Sequence, residues 1–313
     1  MKKISVVTPC FNEKENIKDL VLSVRRIFKE KLENYEFEHI VIDNNSDDGT
    51  KDILRNLATN YSELKLIFNT RNFGHIQSPH HARMQASGDA LINIASDFQD
   101  PPELITNFVK KWEEGSKLVI GIKEKNSNEG LIMKFIRGTY YKLLKKISDI
   151  HINENFSSYC LIDKEIIQKI RDINDVNPYF RGLLSSLGYK SSKIYYKKNV
   201  RSKGKSKNNF YTLYDIGVLG ITSYSKIPLR LCIFFGFILI TISLIVGVFY
   251  FFYKIFYWQN LFNGITPLIL LFTFLFSFVL FFMGVLGEYL LLLLSKLNTV
   301  PVMEEERINF DKK

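Results

Sequence analysis

The acidic run Ser96-Asp97-Phe98-Gln99-Asp100-Pro101-Pro102-Glu103 directly follows the apolar stretch Ala90-Leu91-Ile92-Asn93-Ile94-Ala95. That stretch reads as a strand, and open α/β sheets gather their ligands at the C-terminal ends of strands. A carboxylate there is ready for a hard cation such as Mg²⁺ or Mn²⁺, which takes one or two protein carboxylates and fills its shell with water and substrate phosphates. The run therefore suggests a nucleotide diphosphate site. An acidic turn capping a following helix, Glu103 to Glu114, would use the same residues, so the neighbouring segments have to decide between the two.

Two further strand ends carry polar groups. Ile4-Ser5-Val6-Val7-Thr8-Pro9 runs into Cys10-Phe11-Asn12-Glu13, and Glu38-His39-Ile40-Val41-Ile42-Asp43 ends in Asn44-Asn45-Ser46-Asp47-Asp48-Gly49-Thr50. Such groups can hydrogen-bond a base and a ribose. Ser46 or Asp47 also suits the cap of the next helix, but capping does not account for Asp43. The first strand lacks a Gly-x-Gly-x-x-Gly continuation, which disfavours a dinucleotide-binding dehydrogenase. His75, His80 and His81, near Phe73-Gly74, could touch a donor or metal, and are favoured as a helix-start cluster on a solvated edge. Cys10, Cys160 and Cys232 share no metal-ligand spacing; they read as packing thiols in a strand, an irregular stretch and an apolar helix.

The elements that position these groups alternate. Helices are expected over Asn16–Glu33, Thr50–Asn60 and His80–Ser87, and strands over Leu64–Asn69 and Ala90–Ala95 in addition to the two above. This βαβ order predicts an α/β fold with a mainly parallel sheet and helices on both faces.

Composition divides the chain. It is 24% charged, yet its mean hydropathy is −0.01, because apolar weight collects near the C-terminus. Leu231–Tyr253 and Ile265–Gly287 contain no charged side chain and no polar stripe, and each is long enough for a membrane-crossing helix of about 20 residues. The expected organisation is a catalytic domain over 1–209, a juxtamembrane helix over 210–230, spans over 231–253 and 265–289, and a tail over 290–313. No cleavable signal peptide is expected, because the first span lies so far from Met1. Lys226, Arg230, Lys296, Arg307, Lys312 and Lys313 flank the spans, whereas the connection between them holds only Lys254. By the positive-inside rule both termini and the catalytic domain face the cytoplasm, in a multi-pass protein of the inner membrane. A net charge of +10 with no nucleic-acid recognition signal then suits anionic lipid headgroups. Lys134–Ile147 interleaves bases with apolar and aromatic residues, as an interfacial helix does, or as an amphipathic helix on the sheet with a solvated basic face would.

Taken together, these residues resemble a known family. Pro9-x-Phe11-Asn12-Glu13, Asp43-x-x-Ser46-x-Asp48-Gly49-Thr50, Arg71-Asn72-Phe73-Gly74, Ala86-Ser87-Gly88-Asp89, Asp97-x-Gln99-Asp100-Pro101-Pro102-Glu103, Arg201-x-x-Gly204-x-Ser206-Lys207 and Gly287-Glu288-Tyr289 follow the order seen in family 2 glycosyltransferases acting on polyprenyl phosphate. Bactoprenol glucosyltransferases and dolichol-phosphate mannose synthases are the relatives. The resemblance implies a GT-A fold and inverting transfer of a sugar from a nucleotide diphosphate sugar to polyprenyl phosphate, for cell-envelope glycan modification. It implies that Asp97 binds Mg²⁺ or Mn²⁺, that Gln99 and Asp100 line the sugar site, and that Pro9, Phe11, Glu13 and Asp43 hold the nucleotide. Arg201 and Lys207 would close over the diphosphate from a loop containing Ser206, and Lys123 and Arg137 would receive the acceptor phosphate.

The chain departs from the family pattern in three places. Ala95-Ser96-Asp97 stands where relatives often carry Asp-Ala-Asp, Asn44-Asn45 replaces the usual Asp-Gly, and Ser158-Tyr159-Cys160 stands where many bactoprenol enzymes have Asp-Phe-Arg. The last change is expected to alter sugar contacts. Two other readings stay open: a membrane-tethered nucleotide-sugar-binding protein with impaired catalysis, and a transferase with a polysaccharide acceptor. The latter is disfavoured because two spans do not build an export channel and no Gln-x-x-Arg-Trp sequence is present. Self-association into a homo-oligomer is compatible with the sequence.

Overall fold

A computed structural model describes residues 1–124, 138–139, 156–175, 177–199, 217–223, 225–256, 265–297 and 301–310. The N-terminal region alternates β1 (Lys2–Cys10), α1 (Ile17–Lys31), β2 (Tyr35–Asp43), α2 (Thr50–Asn60), β3 (Leu64–Asn69), α3 (Gly74–Met84) and β4 (Ala90–Asn93). A 3-10 turn (Pro102–Leu104) leads into α4 (Ile105–Glu113). Then come β5 (Leu118–Lys123), β6 (Phe156–Asp163), α5 (Lys164–Ile173), α6 (Phe180–Ser186) and β7 (Ser191–Tyr196). Two long helices, α7 (Ile227–Phe256) and α8 (Ile265–Leu297), precede a final strand, β8 (Glu304–Ile308).

The eight strands form one sheet in the order β7-β5-β6-β4-β1-β2-β3-β8. Its centre, β4-β1-β2-β3, is parallel, and β5-β7 is parallel as well. β6 runs antiparallel to both β4 and β5, and β8 runs antiparallel to β3. Alternating side chains fill two layers. Val7, Ile40, Ile42 and Ile120 pack under α3, α5 and α6, while Ile4, Val6, Ile92 and Val119 pack under α1 and α4. α1 buries Ile17, Leu20, Val21, Val24, Ile27 and Phe28, the three-and-four spacing that puts one apolar stripe on the sheet.

Three local expectations need correction. The helix expected over His80–Ser87 starts at Gly74 and ends at Met84. The side-chain oxygen of Asn72 accepts the Gly74 N–H at 2.8 Å, and the helix continues through Pro79. His80 is therefore buried rather than on a solvated edge, and burial holds its pKa at about 4, with Arg83 beside it acting in the same direction. Cys160 lies in β6, not in an irregular stretch, with its thiol pushed up to about 12 by burial. Ala86-Ser87-Gly88-Asp89 hooks β4 onto β1: Asp89 accepts the Lys3 N–H at 3.0 Å, and a Cβ on Gly88 would lie 2.7 Å from the Lys3 carbonyl.

The 290–313 region is more than a tail. α8 runs to Leu297, and β8 then completes the sheet edge. Lys51 and Arg55 pair with Glu305 and Glu306, and Asn309 Nδ2 donates to the carbonyls of Ala58, Tyr61 and Leu64.

α7 and α8 pack antiparallel. Tyr289 donates to the Ser225 carbonyl at 2.6 Å, and Phe235 meets Phe278 edge-on. Ile233, Phe237, Phe249, Phe256, Phe276 and Leu280 are exposed, an apolar surface that calls for a nonaqueous partner. Among the described residues one helical stretch, Leu275–Leu294, is long and apolar enough to cross a membrane. Gly217–Ser223 with Ile227–Leu239, bent by 76°, passes the same criterion only as a pair. The expected interfacial helix lies outside the described residues, apart from Gly138 and Thr139.

Candidate active site

Three loops meet at the C-terminal edge of the parallel strands. The loop after β1 and the loop after β2 interlock: Asn12 Nδ2 donates to Asp47 at 2.7 Å, the Asp47 N–H donates to Asn12 Oδ1 at 2.9 Å, and the Asn12 N–H donates to Ser46 Oγ at 2.8 Å. Asn12 and Asn45 take left-handed φ values of 56° and 65°, which asparagine tolerates better than most residues. Asp43 is fully buried and accepts from the Ser46 N–H at 2.8 Å and the Ser46 hydroxyl at 2.5 Å. The Cys10 thiol faces Asp43 and is raised well above its usual pKa by burial and then by that carboxylate. Glu13 is buried, receives Asn16 Nδ2 at 2.8 Å, and donates its own N–H to Thr50 Oγ1 at 3.0 Å. Pro9, at the end of β1, pairs with Ile42, and Phe11 is half-buried beside it. The structure thus brings Pro9, Phe11, Glu13 and Asp43 to one corner.

The third loop is the Asp97 turn. Asp97 is half-buried, and its Oδ1 accepts the Gln99 N–H at 3.2 Å across Phe98, whose φ is 58°. Asp100 is buried and receives Tyr196 OH at 2.5 Å and Lys123 Nζ at 3.1 Å. Lys123 and Asp100, read as parts of two different subsites, are therefore an ion pair. Tyr159 OH adds a bond to the Pro101 carbonyl at 2.9 Å. Three strands hold this turn in place, through Lys123 at the end of β5, Tyr159 within β6 and Tyr196 at the end of β7.

Arg137, Arg201, Ser206 and Lys207 lie outside the described residues. The chain leading toward them is placed: the Glu124 N–H bonds to the Tyr196 carbonyl at 2.9 Å, and the Asn199 N–H bonds to the Gln99 carbonyl at 3.2 Å. Both segments leave from beside the Asp97 turn.

The expected divalent cation can be tested against this donor set. One half-buried carboxylate at a strand end suits an ion that shares its shell between protein, water and substrate phosphates. Among the described residues no group of three or more His, Cys, Asp or Glu side chains could hold a metal. Asp97 fits the shared arrangement.

Several contributors were not legible in the sequence. Asn44 is a hub, accepting from Asn69 at 3.0 Å and from the Phe73 N–H at 2.9 Å while donating to Asn72 at 2.8 Å. It ties the Arg71-Asn72-Phe73-Gly74 turn to the β2 loop. Nothing in the spacing of Tyr196 and Tyr159 shows that their hydroxyls reach Asp100 and Pro101. Arg83, buried in α3, gave no signal either.

The glycosyl transferase family 2 model matches residues 5–171, from β1 into α5. The chain is 32% identical over 288 residues to the prophage bactoprenol glucosyl transferase homolog of Escherichia coli K12, covering 92% of this chain and 93% of the relative. It is 33% identical to the bactoprenol glucosyl transferase of Shigella phage SfV, covering 92% and 93%. Among solved structures it is similar to the mannosyltransferase PcManGT of Pyrobaculum calidifontis in complex with GDP-Man and Mn²⁺. There the TM-score is 0.47 and the identity 16%, across 70% of this chain and 63% of that one. With the family model spanning more than half of its residues and these relatives aligning along nearly all of it, the chain belongs to glycosyl transferase family 2 and is a glycosyltransferase.

Proposed function

We propose that the protein moves a sugar, with inversion, from a nucleotide diphosphate sugar to polyprenyl phosphate at the cytoplasmic face of a membrane. One observation carries this reading: the similarity to bactoprenol glucosyl transferases covers 92% of the chain, so it includes apolar helical sequence as well as the sheet. A polyprenyl phosphate keeps its tail in lipid and its phosphate at the interface, which suits a catalytic sheet joined to helices α7 and α8. Those helices serve as two spans with both termini on the cytoplasmic side.

The chemistry asks little of a general base. The acceptor phosphate is already an anionic nucleophile; its oxygen bonds to the anomeric carbon as the bond from that carbon to the diphosphate oxygen breaks. Asp97 would hold a Mg²⁺ or Mn²⁺ ion, which when bound would supply counter-charge to the diphosphate leaving group. The interlocked loops with Pro9, Phe11, Glu13 and Asp43 orient the nucleotide. Gln99 and Asp100 face the sugar, with Asp100 fixed by Tyr196 and Lys123. Arg201 and Lys207 close on the diphosphate, Ser206 lies in the same loop, and Lys123 with Arg137 receives the acceptor phosphate. Lys134–Ile147 rests on anionic headgroups.

The test is incubation of the full-length protein in liposomes with undecaprenyl phosphate and UDP-glucose, UDP-N-acetylglucosamine or GDP-mannose, with and without Mn²⁺. A lipid-linked sugar formed only with the cation is the expected product. Donor binding without turnover would identify a binding protein, and elongation of an added polysaccharide without lipid product would identify the other acceptor class.

A further inference from the structure

Arg83 is buried in α3, and among the described residues no carboxylate pairs with it. Its partners are neutral. The guanidinium lies 3.8 Å from the centre of the Phe180 ring, and Nε donates to Asn93 Oδ1 at 2.9 Å. A buried cation without a counter-charge is costly, so its place in a layer otherwise filled by Ala82, Ala86 and Leu183 needs a reason.

The contact leads toward the site. Asn93 ends β4, and its Nδ2 donates to the Ser158 carbonyl at 3.0 Å. Cys160 Sγ donates to the same carbonyl at 3.3 Å. Ser158 has φ 72°, a conformation that a non-glycine residue keeps only when its surroundings impose it. The position is close to the chemistry. Asn93 pairs with Cys160, and Ile122 pairs with Phe156. Ser158 therefore stands past the end of β4, where the chain goes on to Asp97, and beside the end of β5, where Lys123 meets Asp100.

We propose that Arg83 is a positioning residue of the transfer site: acting through Asn93, it holds Ser158 in its left-handed conformation beside the Asp97–Asp100 turn, so that residue 158 discriminates the sugar ring of the donor. The proposal rests on the reading of this edge as a sugar-transfer site. It does not depend on which acceptor is used.

Asn93→Asp separates the two halves of the relay. It keeps an acceptor for Arg83 and adds an opposite charge, but it removes the N–H donated to Ser158. Arg83→Lys retains a cation able to reach Asn93, and Arg83→Met removes it. Each full-length variant is assayed for kcat and KM with UDP-glucose, UDP-galactose, UDP-N-acetylglucosamine and GDP-mannose, and for Tm and calorimetric binding of UDP and GDP. Asn93→Asp is expected to keep or raise Tm while the preference between the best and next donor falls about 10-fold. Arg83→Met loses the same preference, Arg83→Lys recovers part of it, and nucleoside diphosphate binding stays as in wild type. Wild-type donor preference in Asn93→Asp and Arg83→Lys overturns the proposal, as does a loss that only tracks Tm or accompanies weaker diphosphate binding. A wild-type protein that transfers sugar to a different acceptor removes only the polyprenyl reading, because the donor preference is then measured on that acceptor. One that turns over no donor overturns both.

Discussion

Replacing Asp97 with alanine is expected to lower turnover roughly 1000-fold without changing Tm, because its carboxylate is half-buried at a turn and, on the proposed function, acts on the leaving diphosphate. Turnover near wild type, with matched expression, would remove Asp97 from the metal site. A second carboxylate tests stability rather than chemistry. Glu38 is buried and receives Lys3 at 2.9 Å, Lys65 at 2.8 Å and the Ser5 hydroxyl at 2.6 Å. Burial alone would raise its pKa, but the bonds from Lys65, Ser5, the Ser87 N–H and Lys3 outweigh it and hold the group at about 2. A depressed carboxyl pKa gives stability that is present above the ordinary value of 4.5 and is lost as pH falls toward about 2. Glu38→Gln is therefore expected to melt below wild type at neutral pH, with the two Tm curves converging in that acid window. Parallel curves down to pH 2 would refute this account.

At the level of elements, β8 makes the most distinctive claim. It shields the β3 edge, which would otherwise offer unpaired backbone groups. It also carries Glu304, held at about 2 because bonds from His81 and Arg307 outweigh its burial. Deleting residues 301–313 is expected to cost about 2 kcal/mol or more, roughly 4–8 °C in Tm for a domain of this size. Differential scanning fluorimetry in detergent measures it, and an unchanged Tm would mean that the strand is ornamental. α3 shows a related lesson. It starts at Gly74 rather than at the expected His80, and the Asn72 side chain accepts the Gly74 N–H just before it, a contact that hydrophobic periodicity does not register.

For the whole molecule, β8 changes how the helices must be tested. A chain cut at Leu231 loses β8 as well as α7 and α8, so it is expected to bind donor poorly for reasons unrelated to lipid. A chain in which residues 231–297 are replaced by a Gly/Ser linker, with 301–310 kept, is expected to bind donor as wild type does. It should transfer sugar to a short, water-soluble polyprenyl phosphate but act at least about 10-fold more slowly on undecaprenyl phosphate in liposomes, where the wild type gains from being held at the interface. Equal rates of both proteins on the liposomal acceptor would remove the anchoring role.

The sequence alone determined the parallel centre of the sheet, the Asp97 turn and the two apolar helices, because each rests on a local pattern: alternation of apolar residues, a polar group just past a strand, an uncharged run. Leu64–Asn69 and Thr50–Asn60 were legible to the residue for that reason. Tertiary structure alone decided the rest, since those contacts join positions far apart in the chain. Asp100 meets Tyr196, Asn44 meets Asn69, Arg83 reaches Ser158 through Asn93, and Glu306 pairs with Arg55. No spacing encodes such pairs; each exists because the strand order β7-β5-β6-β4-β1-β2-β3-β8 brings its two ends together.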